Sequence, residues 1–66
     1  MQNFYEDIMN EILLEIEELE NTVNSLKNVD KPEAIIAIRS LDEIIDRKKL
    51  QVSKFELEIE QEFANG

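Results

Sequence analysis

The sequence contains no cysteine, histidine or tryptophan, and it has one glycine and one proline among 66 residues. Without cysteine, no disulfide can stabilise the fold, and thiol usage does not indicate a redox compartment. Without cysteine and histidine, the chain also lacks the usual ligands of a structural zinc site. A chain of this length is close to the lower limit for a self-sufficient hydrophobic core. We therefore expect oligomerisation to contribute to its stability.

The residues that usually carry catalysis are also scarce. The sole glycine is Gly66, so the chain has no glycine-rich phosphate-binding loop. Ser25, Ser40 and Ser53 have no obvious general base, because histidine and cysteine are both missing. The sequence therefore predicts a protein that is not an enzyme and that needs no cofactor.

A carboxylate metal site is a possible alternative use of the acidic residues. Glu11, Glu15 and Glu18 lie on neighbouring turns of one helical face. However, the di-iron sites of helical bundles also need a Glu-x-x-His element, which this sequence lacks. We therefore interpret these glutamates as a solvated acidic surface and predict no metal site.

The charge is strongly one-sided, with 16 acidic against 7 basic residues and a net charge of −9. Such a chain is not expected to bind nucleic acid directly, or to bind anionic membrane surfaces, because both require a basic face. It would attract a protein with a basic surface, although the charge could also serve only to keep the chain in solution. No apolar run is long enough to cross a membrane and no signal peptide is evident, so we expect a cytoplasmic protein.

The stretch 28–33, Asn-Val-Asp-Lys-Pro-Glu, predicts the one break in an otherwise helical chain. Asn28 tolerates the left-handed conformation that often ends a helix. Asp30 is a favourable N-cap, and Glu33 could complete a capping box for the following helix. We predict a single helical-hairpin domain over residues 1–66, with a helix over about 3–28, a turn over about 28–31 and a helix over about 31–63.

Apolar residues follow a spacing of three and four residues on both sides of this break, as in the seam of a coiled coil. In the first helix the seam residues are Tyr5, Met9, Ile12, Ile16, Leu19, Val23 and Leu26. In the second helix they are Ala34, Ile38, Leu41, Ile45, Val52, Phe55 and Ile59. Two such seams predict an all-α fold, an antiparallel two-helix hairpin that dimerises into a four-helix bundle.

The charges of the two helices complement each other. The first helix is rich in acids, whereas the second carries most of the bases, Arg39, Arg47, Lys48, Lys49 and Lys54. Folding at the turn should bring Glu11 near Lys49 and Glu6 near Lys54. The charge pattern and the apolar pattern therefore favour the same antiparallel alignment.

Lys48 occupies a position of the second seam, opposite Ile12. A polar residue at one seam position commonly specifies register or oligomeric state at a cost in stability. Alternatively, its aliphatic stem packs while its ammonium reaches solvent. We predict that Lys48 tunes assembly.

A second apolar stripe on the second helix does not fit a lone hairpin. Ile36, Leu50 and Leu57 share the face opposite the seam, and Ile44 and Phe63 lie on its flanks. A helix with a second apolar stripe usually packs against a second partner. We predict that these five residues form an interface, with another copy of the chain as the favoured partner.

One family resemblance arises from Pro32-Glu33 and from residues 41–45, Leu-Asp-Glu-Ile-Ile. This pattern resembles the sporulation stage-zero aspartyl-phosphate phosphatases of bacilli, which are small helical hairpins with a Ser-Gln-Glu-Leu-Asp signature. Residues 38–42 read Ile-Arg-Ser-Leu-Asp, so only Leu41 and Asp42 match that signature. The stretch 16–19, Ile-Glu-Glu-Leu, also looks like the family's first helix at a shifted spacing. The resemblance implies that Asp42 would face a phosphorylated response regulator.

Three functions are consistent with these observations. We favour a small acidic, non-catalytic module that acts through protein–protein interaction as a regulatory or structural hairpin oligomer. The first alternative is an acidic inhibitor that masks the nucleic-acid-binding surface of another protein. The second alternative, implied by the resemblance, is an aspartyl-phosphate phosphatase that acts on a response regulator.

Overall fold

The computed structural model describes residues 4–65, apart from the side chains of Phe63 and Asn65. It contains two α-helices, α1 (Phe4–Leu26) and α2 (Pro32–Asn65), which are joined by residues 27–31 and pack against each other in antiparallel orientation. All regular secondary structure in the described part of the chain is helical. The predicted all-α helical hairpin is therefore confirmed.

Helix α1 ends at Leu26, two residues before its predicted end. The chain leaves the helix through tight turns, in which the N–H of Asn28 donates to the carbonyl of Ser25 at 3.3 Å and the N–H of Val29 to that of Leu26 at 3.0 Å. No residue with a positive φ occurs among those described. The left-handed ending predicted at Asn28 is therefore wrong, because these i→i+3 turns already pair the carbonyls of Ser25 and Leu26.

Helix α2 begins at Pro32, directly after Lys31, whose carbonyl accepts a hydrogen bond from the N–H of Ala34 at 3.1 Å. Proline suits the first position of a helix because its φ is already helical and it has no N–H to satisfy. Within the described residues, neither Asp30 nor Glu33 forms the reciprocal hydrogen bonds of the predicted capping box. That capping box is wrong, since Lys31 rather than Asp30 lies directly before the helix. The N-terminal cap of α1 would involve Asn3, which lies outside the described residues.

The core follows the two seams. Ile12, Ile16 and Val23 of α1 and Ile45 and Val52 of α2 form a buried apolar cluster. Around it pack the partly buried side chains of Ile8, Met9, Leu19, Ile38, Leu41 and Phe55. Every residue of both predicted seams is buried or half-buried, so the predicted core is confirmed. The single layer of apolar contact between two helices is the whole core of the described hairpin.

The antiparallel alignment is set at the open end by an aromatic contact. The rings of Tyr5 and Phe55 lie 5.9 Å apart between centroids, at an interplanar angle of 41°. Helix α1 has 23 residues and α2 has 34, so α2 is longer, and its expected length of about 51 Å agrees with the 53 Å long axis of the hairpin. Neither described helix is both long and apolar enough to span a membrane.

Candidate interaction surface

The outer face of α2, which points away from α1, carries exposed apolar residues. Leu50 and Leu57 are 58% and 57% exposed, Ile36 is 66% exposed, and Ile44 on the flank is 37% exposed. We call these four residues the α2 stripe. The fifth predicted interface residue, Phe63, has a side chain that lies outside the described part of the structure. Among the described residues, Ile36, Leu50 and Leu57 of the α2 stripe therefore lie on the face opposite the one that α1 covers, while Ile44 borders the groove between the helices.

A second exposed apolar patch lies on α1, and the spacing of the seam residues did not predict it. Leu13 is 44% exposed and Leu14 is 61% exposed, and we call this pair the α1 patch. Both residues fall outside the α1 seam of Ile12 and Ile16: Leu14 lies on the opposite side of the helix, and Leu13 lies on the flank of the seam. The sequence signal for this patch is that two adjacent leucines lie outside the three-four spacing of the seam. The spacing of a regular seam does not identify apolar residues that lie outside it.

Lys48 lies at the edge of the helix–helix contact. Its side chain is only 24% exposed, and its Nζ donates a hydrogen bond to Oε2 of Glu15 on α1. The buried part of the side chain takes a seam position, while the charged end pairs at the surface with a half-exposed carboxylate. This geometry corresponds to a packed stem with the ammonium directed outward.

Replacing Lys48 by leucine should raise the free energy of unfolding by about 1 kcal/mol or change the oligomeric state. Burial of a leucine contributes about 1.5–3 kcal/mol, and the partly exposed ion pair that is lost contributes about 0–1 kcal/mol. Thermal melting and mass in solution would measure both effects. Lys49→Leu is the matched control, because the Lys49 side chain is 56% exposed and should gain nothing from being apolar. A Lys48→Leu variant that melts lower at an unchanged mass would contradict the prediction.

The charged pairs between the helices differ from those expected. Lys49 Nζ lies 3.9 Å from Oε2 of Glu20, and the described residues include no ion pair between Glu11 and Lys49 or between Glu6 and Lys54. Glu20 directly follows a seam residue of α1, just as Lys49 directly follows the seam position of Lys48, so both border the same edge of the contact. Glu11 lies further round α1. The two expected pairs are therefore wrong.

Asp42, the residue implied by the phosphatase resemblance, lines an open groove of about 190 Å³ between the helices. Val23 and Ile45 of the core line the same groove. The charged residues around it are of both signs, namely Glu20, Lys27, Asp46 and Lys49. Asp42 is thus accessible, but it is one of three carboxylates in a mixed groove.

The described residues contain little else that could perform chemistry. The hydroxyls of Ser25 and Ser53 donate to backbone carbonyls one turn earlier, those of Asn21 and Lys49, as serine commonly does on a helix surface. Among the described residues, no three acidic side chains converge closely enough to hold a metal ion. The apolar surfaces of α1 and α2 are therefore the most distinctive features of the hairpin.

Comparisons with protein families, with curated proteins and with solved structures returned no match to this chain.

Proposed function

We propose that this hairpin is a small, non-catalytic protein–protein interaction module that acts as a homo-oligomer, in which two hairpins bring four helices together in a bundle. The observation that carries the proposal is the exposure of the α2 stripe on a hairpin whose other apolar seam is already covered. A single exposed leucine is ordinary, but several along one helix indicate a contact surface.

The hairpin has a small core. Among the described residues, five side chains form its buried cluster, which is little for a folded chain of 66 residues. Burial of a leucine contributes about 1.5–3 kcal/mol. Covering Leu50 and Leu57 can therefore offset part of the entropy lost on association and also stabilise each hairpin.

The double variant Leu50→Glu/Leu57→Glu tests this proposal. We expect a monomer with a lower melting temperature, because two charges on each covered α2 stripe would replace apolar contacts and face a low-dielectric interface. Mass in solution and thermal melting by circular dichroism are the measurements. The matched control is Gln51→Glu/Gln61→Glu, which adds the same two charges at exposed positions of α2 without removing an apolar residue.

If the double variant keeps the mass and melting temperature of the wild type, the α2 stripe is ordinary surface and the proposal fails. A monomeric wild-type protein would also overturn it. Salt-sensitive binding to a basic DNA-binding protein by that monomer would favour the acidic inhibitor. Dephosphorylation of a response regulator, lost on Asp42→Asn, would favour the phosphatase.

A further inference from the structure

The two exposed apolar surfaces lie on opposite sides of the hairpin. Leu14 is 61% exposed on the face of α1 that points away from α2, and Leu50 is 58% exposed on the face of α2 that points away from α1. Because the helices are antiparallel and aligned by the Tyr5–Phe55 contact, Leu14 falls near the middle of the α1–α2 overlap and Leu50 lies about one helical turn nearer the open end. Each hairpin therefore presents two different apolar faces at similar positions along its long axis.

Charged residues border these two leucines with the same spacing and with opposite sign. On α1, Glu11 and Glu18 lie three residues before and four residues after Leu14. On α2, Arg47 and Lys54 lie three residues before and four residues after Leu50. Residues three and four apart share one side of a helix, so in each case the pair borders one edge of its leucine.

These side chains are available for a contact between copies. Glu11, Glu18 and Lys54 are exposed and form no ion pair with any other described residue. Arg47 is 77% exposed at its side chain and makes only a 4.0 Å contact with Glu43 one turn away. More generally, α1 has seven acidic residues and no basic residue, whereas α2 carries five bases beside eight acids, so the bases that a second copy could offer to α1 lie on α2.

We propose that Leu50 of the α2 stripe in one copy packs against Leu14 of the α1 patch in a second copy, with the two helices antiparallel. In this alignment Glu11 of one copy meets Lys54 of the other and Glu18 meets Arg47, whereas the opposite edge carries one like-charged pair, Glu17 with Asp46. This inference rests on the proposed self-association and names the two surfaces that perform it.

Pairing of α2 with α2 is disfavoured by charge. If Leu50 faces Leu57 in an antiparallel pair, Lys54 lies against Lys54 of the other copy, and Asp46 lies against Glu60. A parallel pair in register would place every charge against itself. Like charges opposite one another destabilise an interface, so the α1 patch is the better cover for the α2 stripe.

This contact uses different surfaces on its two sides. A pair of hairpins therefore leaves one α1 patch and one α2 stripe uncovered, and a third copy can add to either end. We expect the mass in solution to rise beyond the dimer as concentration increases.

Two variants, each with one blocked face, test the inference. Leu14→Glu blocks the α1 patch, and Leu50→Glu blocks the α2 stripe. Because both sites are exposed in the hairpin, each variant should keep the wild-type helix content. Each variant alone should self-associate more weakly than the wild type by a factor of about ten or more. An equimolar mixture should form a 1:1 heterodimer that does not grow, because it retains one intact face of each kind.

The outcomes separate this inference from the proposed function. If Leu14→Glu alone still assembles like the wild type while Leu50→Glu does not, the contact joins α2 to α2, and the inference is overturned while self-association stands. A wild type that remains monomeric overturns both. As a second measurement, Arg47→Glu should weaken assembly, and Glu18→Arg in the same chain should restore it; failure to restore assembly contradicts the alignment.

Discussion

Replacing Ile45 by alanine should lower the free energy of unfolding by about 2–5 kcal/mol, the usual effect of truncating a buried isoleucine. Ile45 is 5% exposed and belongs to the buried cluster between the helices. A small domain of this kind rarely has more than about 3–5 kcal/mol of stability. The variant should therefore be largely unfolded at 25 °C, as measured by urea titration and circular dichroism at a fixed protein concentration.

Ile35→Ala is the matched control for this experiment. It makes the same chemical change on the same helix, but Ile35 is 62% exposed and lies outside the buried cluster. We expect its effect to remain within about 0.5 kcal/mol, the usual range for surface substitutions. If both variants lost the same stability, Ile45 would not occupy the core and the packing of the two helices would need revision.

Replacing Glu17 by proline should abolish cooperative folding. Glu17 is exposed in the middle of α1, and proline there removes a backbone hydrogen bond and clashes with the preceding turn, at about 3 kcal/mol or more. The first half of α1 would then lose its alignment with α2. Far-ultraviolet circular dichroism should show a large loss of helix, well beyond the few residues next to the substitution.

Glu17→Ala distinguishes this backbone effect from the loss of the carboxylate. Alanine is the strongest helix former, and Glu17 forms no ion pair with other described residues, so this variant should melt at or slightly above the wild-type temperature. A proline variant that retained full helicity would show that α1 is not a continuous helix across Glu17.

Most of the fold could be predicted because its signals are local. The three-four spacing of apolar residues identified each seam, and Pro32 located the break, since proline is tolerated at the start of a helix but not in its interior. Contact between Tyr5 and Phe55 agrees with the alignment expected from the seams. These predictions depend on periodicity, which requires no knowledge of what each side chain touches.

The details of the turn could not be predicted in the same way. Asp30 and Glu33 have the residue types of a capping box, but the helix begins at Pro32, one residue later than that motif requires. Similarly, Asn28 tolerates a left-handed backbone without adopting one. Residue preference indicates which local structures are allowed, whereas the path between two packed helices selects one of them.

The candidate surface was only half predicted. The α2 stripe was found because Leu50 and Leu57 repeat at seven residues, but Leu13 and Leu14 are adjacent and form no repeat. The expected partners of Lys49 and Lys54 were also wrong. The sum of two residue numbers predicts their position along the helix axis, but it does not predict which side of the helix each side chain occupies. An ion pair needs two side chains that are close along the axis and that also lie at the same edge of the helix–helix contact, as Lys49 and Glu20 do.

The amino-acid sequence by itself determined the helical hairpin, the residues of its core and the excess of acids on α1, because each is a property of spacing or composition along one chain. Only the tertiary structure decided which charged side chains meet and which apolar side chains stay exposed. Both depend on how far each helix is rotated about its axis when the seams close, and this rotation is set by packing of the whole interface rather than by any local stretch.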